Sequence, residues 1–208
     1  MLYDKRTLYT LIEAKISQLN ASTELPFDLH RLIKKENLQL SFISFESDAI
    51  GAILYKDIVS GILINSNKSN FEQRFDLAHE LIHFWFHPSP LPFYFQKPQL
   101  RDRTREWEAN EGAAELLLPY KDFIPRFVKT ARYIEENYEP LEEIYNELAH
   151  FYKVMPIVID YRIRNLESEI LQYISGIPID KITLNKSYIR FNKNKIPVVY
   201  RSLIHKVI

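Results

Sequence analysis

Residues 79–83 read His-Glu-Leu-Ile-His. On a helix, His79 and His83 project from one face a single turn apart, so both imidazoles can hold one divalent ion, at about 2.0–2.1 Å for zinc. Glu80 is adjacent but turned aside, so it can reach a water polarised by the ion without ligating the ion itself. That set suits metal-assisted hydrolysis of a peptide bond with the glutamate as general base. The plain alternative is two histidines satisfied by core hydrogen bonds. Burying two imidazoles and a carboxylate without partners is costly, which weighs against it.

A zinc site needs a further protein ligand, and residues 104–120 (TREWEANEGAAELLLPY) supply candidates. They predict a helix stopped near Pro119, because proline lacks a donor and disfavours helix just before itself. Glu108, Glu111 and Glu115 share a face with no apolar neighbours and read as solvated. Glu106 points the other way, beside Ala109, Asn110, Ala113 and Leu117, whose small members let a second helix approach closely. Glu106 is therefore the first choice for third ligand and Glu108 the fallback; Glu106 also suits a helix N-terminus through the macrodipole alone. Asn110, one turn on, is placed to hydrogen-bond a ligand histidine. Tyr94, His87 and Tyr120 are open candidates for stabilising an oxyanion.

The runs RFDLAHELIHFWFH and EWEANEGAAELLLP together resemble the ImmA/IrrE family of bacterial zinc metallopeptidases. The family pattern is a histidine-pair helix, then a helix of the form E-x-x-A-N/D-x-F-A-x-x-L-L-x-P. The first motif falls on His79, Glu80 and His83; the second falls on Glu106, Ala109, Asn110, Ala113, Leu116, Leu117 and Pro119. The likeness covers roughly residues 25 to 166, with weaker matches at PFDLHRLIKKENLQLSF and GILINSN. Two positions depart from it. Ile82 stands where many members have Gly or another small residue, and Gly112 stands where Phe is usual. The resemblance implies a zincin-like core, zinc on His79, His83 and Glu106, and Glu80 as the catalytic residue. It implies as substrate a DNA-binding repressor of the helix-turn-helix type, cleaved to release stress-response or mobile-element genes. It also implies an edge strand beside the metal helix that pairs with extended substrate, for which Ile62–Asn65 is the candidate.

The elements that must position these residues follow from periodicity. Phe71 to His87 predicts a helix in which Glu72, Asp76, His79, Glu80, His83 and His87 fall within about 100° of arc. Nearly everything else in it is apolar, so the helix should run through the core with its polar stripe lining a cleft. Before it, Tyr3–Leu19 has amphipathic spacing and Asp28 can cap a short helix to about Asn37. Leu38, Leu40 and Phe42 alternate as a strand, and Ala49–Tyr55 and Ile58–Ile64 read as a hairpin about Lys56-Asp57. Residues Pro88–Arg103 hold four prolines with Phe93, Tyr94 and Phe95, a long loop suited to rim a cleft or plug the core. Leu141–Leu166 reads helix, turn, helix, with Arg162, Arg164 and Asn165 as the only plausible DNA readers on the second helix. His150, in the first of these helices, could reach the cleft, though a surface or core position suits it better.

At 208 residues with 26% charged side chains and no net charge, the chain has the composition of a soluble globule. Cysteine is absent, which excludes disulfides and thiolate metal sites and fits a reducing, cytoplasmic setting. No signal pattern or membrane-length apolar run is visible. Residues 176–208 carry seven Lys/Arg against one Asp, so the segment is strongly basic while the remainder is acidic. With Tyr188, Phe191 and Tyr200 interleaved, it could meet nucleic acid or an acidic partner; a solvated face of two or three short strands, turning at 192–195, is the plainer reading.

The expected class is α+β: a zincin-like metallopeptidase core over residues 1–135, a helix-turn-helix-like segment over 136–175, and a basic β-rich segment over 176–208. The expected activity is zinc-dependent endopeptidase action on a protein substrate. The competing reading is a metal-stabilised, non-catalytic module that associates with a repressor or with nucleic acid.

Overall fold

The computed structural model describes residues 3–44, 51–56, 59–87, 93–94, 103–186, 189, 191–192, 195, 197 and 199–208. In chain order the elements are α1 (Lys5–Gln18), α2 (Leu29–Lys35), β1 (Gln39–Ile43), β2 (Gly51–Lys56), β3 (Val59–Asn65), α3 (Asn70–Phe86) and β4 (Phe93–Tyr94). They continue with α4 (Arg103–Leu117), α5 (Tyr120–Glu136), α6 (Glu143–Tyr152), α7 (Pro156–Asn165), α8 (Glu167–Ile174), a 3₁₀ turn (Ile179–Lys181) and α9 (Arg201–Val207). The class is α+β and rich in helix. Two compact units are present, Met1–Tyr3 with Thr7–Leu117 and Asp4–Arg6 with Leu118–Ile208. Among the described residues no helix is long and apolar enough to cross a membrane.

In the first unit the sheet order is β1-β3-β2-β4. The hairpin of β2 and β3 is antiparallel, from Gly51↔Ile64 to Lys56↔Val59. On its other side β3 pairs in parallel with β1, from Gln39↔Gly61 to Ile43↔Asn65. This corrects one expectation: Ile62–Asn65 is not an edge strand. Both backbone edges of β3 are already taken, so it cannot accept a further strand. Its inward residues Ile62 and Ile64 are fully buried, and α3 packs against β2 and β3. The short strand β4 lies beyond β2, within the stretch read as a loop. The rest of that loop and its aromatic side chains, like the Lys56-Asp57 turn, lies largely outside the described residues.

Helix α3 starts where its sequence says it should. Ser69 caps it, its hydroxyl accepting from the Glu72 backbone N–H, while the Glu72 carboxylate accepts from the Ser69 N–H at 3.0 Å. This is a capping box, and it satisfies two of the donors that a helix start leaves open. Every residue from Phe75 to His83 is buried, polar ones included, so the helix does run through the core. Near its far end Trp85 donates to Glu36 at 2.7 Å, and Lys15 meets the same carboxylate oxygen at 2.9 Å.

Helix α4 lies along α3, and the closeness of the two has an identifiable cause. A Cβ placed on Gly112 would stand 2.9, 3.0 and 3.1 Å from three carbons of the Ile82 side chain. Ile82, Ala109 and Ala113 are fully buried. The two positions that depart from the family pattern are thus in contact: bulk at 82 occupies the space left by its absence at 112.

In the second unit Pro119 precedes α5, and α6 and α7 pack together as a helix pair with Pro156 in the first turn of α7. Arg162 is fully buried and its Nε donates to the Leu118 carbonyl at 3.1 Å, while Asn165 is 1% exposed. Arg164 is paired with Asp160 on its own helix. A DNA-reading face built on Arg162 and Asn165 is therefore not available, because both are spent inside the unit. His150 is exposed on α6. Burial alone would raise the Asp122 carboxyl, but hydrogen bonds from Arg126 and Tyr152 hold it below its ordinary value. Lys5 and Glu169, each about 1% exposed, form a buried ion pair at 3.0 Å, and Lys5 also donates to the Asn165 carbonyl.

Of the short strands expected in residues 176–208, the one about Ile182 and Leu184 is corrected. Among the described residues of this segment there is no strand, and Arg201–Val207 is helical, burying Leu203, Ile204 and Val207. Around Ile182 the chain is extended, but its backbone bonds go to side chains of α8. Gln172 both donates to the Thr183 carbonyl and accepts from the Thr183 N–H, and Glu169 accepts from the Asn185 N–H. Alternating apolar residues here reflect docking on a helix rather than sheet pairing. Tyr188 and part of the 192–195 turn lie outside the described residues.

The contact between Ile82 and Gly112 makes a sharp prediction. Gly112→Ala should lower stability in chemical denaturation by about 1–3 kcal/mol through overpacking, despite alanine's better helix propensity. With Ile82 already replaced by alanine the same substitution should cost little or nothing. Equal costs in the two backgrounds would show that the side chains do not compete for one space.

Candidate metal centre

Three side chains from two helices converge. His79 and His83, on the third and fourth turns of α3, are buried at 1% and 4% exposure; the Glu106 side chain, in the first turn of α4, is 17% exposed. The two histidine Nε2 atoms lie 3.1 Å apart. Glu106 places Oε2 at 3.7 Å from His79 Nε2 and Oε1 at 3.5 Å from His83 Nε2. Among the described residues this is the group of His, Asp and Glu ligand atoms, all within 4.8 Å of one another, that could hold a metal ion.

The fit to an ion can be tested on these distances. Ligands about 2.0–2.1 Å from a tetrahedral centre stand roughly 3.3–3.5 Å from one another. The observed separations bracket that value. The hydrogen bonding of His79 points the same way. Asn110 Nδ2 donates to the Glu106 carbonyl at 2.8 Å, which orients the amide so that its Oδ1 faces His79 Nδ1 at 3.0 Å. His79 must then donate from Nδ1, leaving a lone pair on Nε2 that faces another imidazole nitrogen at 3.1 Å. A cation between them relieves that opposition, and two imidazoles with a carboxylate form a donor set suited to zinc.

Glu80, between the two histidines in sequence, is 1% exposed and lies outside the converging group. The fallback ligand Glu108 is also outside it. Its Oε2 lies 2.7 Å from His87 Nε2, and its Oε1 accepts the Tyr3 backbone N–H at 2.5 Å. His87, considered above for an oxyanion, is turned into the protein, with Nδ1 2.9 Å from His83 Nδ1. Tyr120 belongs to the second unit, and the Tyr94 side chain lies outside the described residues.

One expectation for α4 is overturned. Glu108, Glu111 and Glu115 are not solvated; they are 1%, 0% and 3% exposed. Donors from the start of the chain cover that face: the Tyr3 N–H for Glu108 and the Tyr9 hydroxyl for Glu111. Projection of one helix cannot register partners that lie a hundred residues earlier. The link from His83 to His87 and Glu108 was likewise missed. The available signal was the repeat of histidine at 79, 83 and 87, a ladder along one helix face.

The model of the IrrE N-terminal-like domain, peptidase M78, matches residues 33–164. That span takes in α3 and α4. An uncharacterized immunity region protein 2 of Bacillus phage phi105 is 30% identical over 153 residues, which is 72% of this chain and 94% of the phage protein. Matched across more than half its length, this chain belongs to the IrrE N-terminal-like family of peptidase M78.

Proposed function

We propose that this protein is a zinc-dependent endopeptidase with a zincin-like core, acting on a DNA-binding repressor. The observation that carries the reading is the convergence of His79 Nε2, His83 Nε2 and the Glu106 carboxylate at 3.1–3.7 Å. Family membership supports peptidase chemistry, and the small sheet against α3 is compatible with a zincin-like arrangement. The relative named for a phage immunity region supports a repressor as substrate.

In this reading His79, His83 and Glu106 hold the ion. When bound, it supplies Lewis acidity to a water and to a scissile carbonyl. Glu80 takes the proton from the attacking water on its carboxylate and returns it to the departing amine nitrogen. Its burial at 1% exposure keeps that carboxylate out of bulk water, where a base would be levelled by competing hydration. Asn110 holds the His79 ring by its Nδ1–H, so the imidazole is oriented before any ion arrives.

Two measurements test the assignment. Zinc added to metal-free protein should bind one ion per chain and raise the thermal midpoint as its free concentration rises. Glu106→Ala should remove most of that binding, and retention of full zinc affinity would exclude Glu106 as a ligand.

Glu80→Gln keeps shape and a hydrogen-bonding group but loses basicity. With zinc content and thermal midpoint close to wild type, cleavage of a helix-turn-helix repressor, beginning with any encoded beside this gene, should fall about 10²–10⁴-fold. Undiminished cleavage would remove Glu80 from the chemistry. Tight zinc with repressor association but no cleavage in the wild type would return the non-catalytic module.

A further inference from the structure

The face of α3 that bears His79 and His83 carries a third histidine at the same interval, and its ring is engaged on both sides. We propose that His87 and Glu108 are positioning residues, forming a hydrogen-bonded relay that fixes His83 in the tautomer whose Nε2 is open to a metal. The proposal rests on the metal-centre reading above.

The direction of the relay follows from donor and acceptor counting. Glu108, with a side chain 2% exposed, has one oxygen committed to the Tyr3 N–H and the other 2.7 Å from His87 Nε2. As a carboxylate it offers acceptors only, so His87 Nε2 must carry the hydrogen. With His87 taken as neutral, its single N–H is the one on Nε2, and Nδ1 is left as an acceptor. At 2.9 Å from it, His83 Nδ1 must then be the donor. The one hydrogen of His83 is used there, and its Nε2 keeps the lone pair, facing the group formed with His79 and Glu106.

Run in reverse, the chain puts a hydrogen on His83 Nε2, where it blocks ligation, and sets a bare His87 nitrogen against a carboxylate. The two ligand histidines thus reach the same tautomer by different means. His79 is set by an amide that is itself oriented by a backbone carbonyl; His83 is set by a second imidazole backed by a buried carboxylate. The His83 and His87 rings, with centroids 5.0 Å apart and tilted by 59°, also hold each other's orientation.

The test is zinc affinity by chelator competition. His87→Phe keeps a ring but removes the acceptor for His83 Nδ1–H, and should weaken zinc binding about 10–100-fold. Glu108→Gln, which cannot face two donors with acceptors, should also weaken it. Glu111→Gln replaces an equally buried glutamate on the same helix whose hydroxyl partner is Tyr9, and should leave zinc affinity at the wild-type value.

A readout independent of any variant is the imidazole ¹⁵N spectrum of the zinc-loaded wild type, in which His87 should carry its proton on Nε2 and none on Nδ1. A protonated Nδ1 on His87 overturns the relay. So does wild-type zinc affinity in His87→Phe, or a loss in Glu111→Gln as large as in Glu108→Gln. A wild type that binds no zinc overturns the metal-centre reading and the relay together, whereas stoichiometric zinc with an indifferent His87 overturns the relay alone.

Discussion

A carboxylate in one helix reaches two imidazoles in another only when the helix axes come unusually near, because Glu106 must span the gap with two methylenes. The approach of α4 to α3 is the constraint on which the site depends. It is met by small side chains on α4 and by the absence of any side chain at Gly112, into whose space Ile82 fits. Interiors packed at crystal-like density transmit volume changes over several ångströms. Two residues that bear no polar group, Ile82 and Gly112, are thus in direct contact between the helices that carry His83 and Glu106. Seen position by position, Ile82 and Gly112 are two departures from a pattern. Physically they are one exchange of volume across a helix pair.

Close approach also means that the polar residues of both helices are buried, and burial obliges each of them to find a partner. This explains why unit one spends so many hydrogen bonds around the centre. The Asn110 amide is shared between His79 and the Glu106 carbonyl, and Glu108 is shared between His87 and the Tyr3 backbone. Glu111 meets the Tyr9 hydroxyl. The N-terminal segment contributes directly to this economy, its donors arriving from the far end of the sequence.

What could be read from the residues alone was local. The course of α3, the projection of Glu106 toward the two histidines and the helix pair of α6 and α7 all follow from spacing within one element. What could not be read was relational. The face of Glu108, Glu111 and Glu115 looked solvated because its covering donors are about a hundred residues away. The family resemblance implied an edge strand at Ile62–Asn65, whereas parallel pairing with β1 puts β3 inside the sheet. Arg162 looked like a DNA reader because nothing in its neighbours announces a bond to the Leu118 carbonyl.

The C-terminal segment shows how a side chain can stand in for a strand. A primary amide has the same donor and acceptor as a peptide group, and Gln172 offers both to Thr183 at 2.9 Å each. An extended stretch with free N–H and C=O groups is an open template, prone to recruit a strand from another molecule. Thr183 is exposed, yet its two backbone groups are already occupied by a single residue of its own chain. Gln172 thus occupies at Thr183 the two backbone groups that a paired strand would otherwise take.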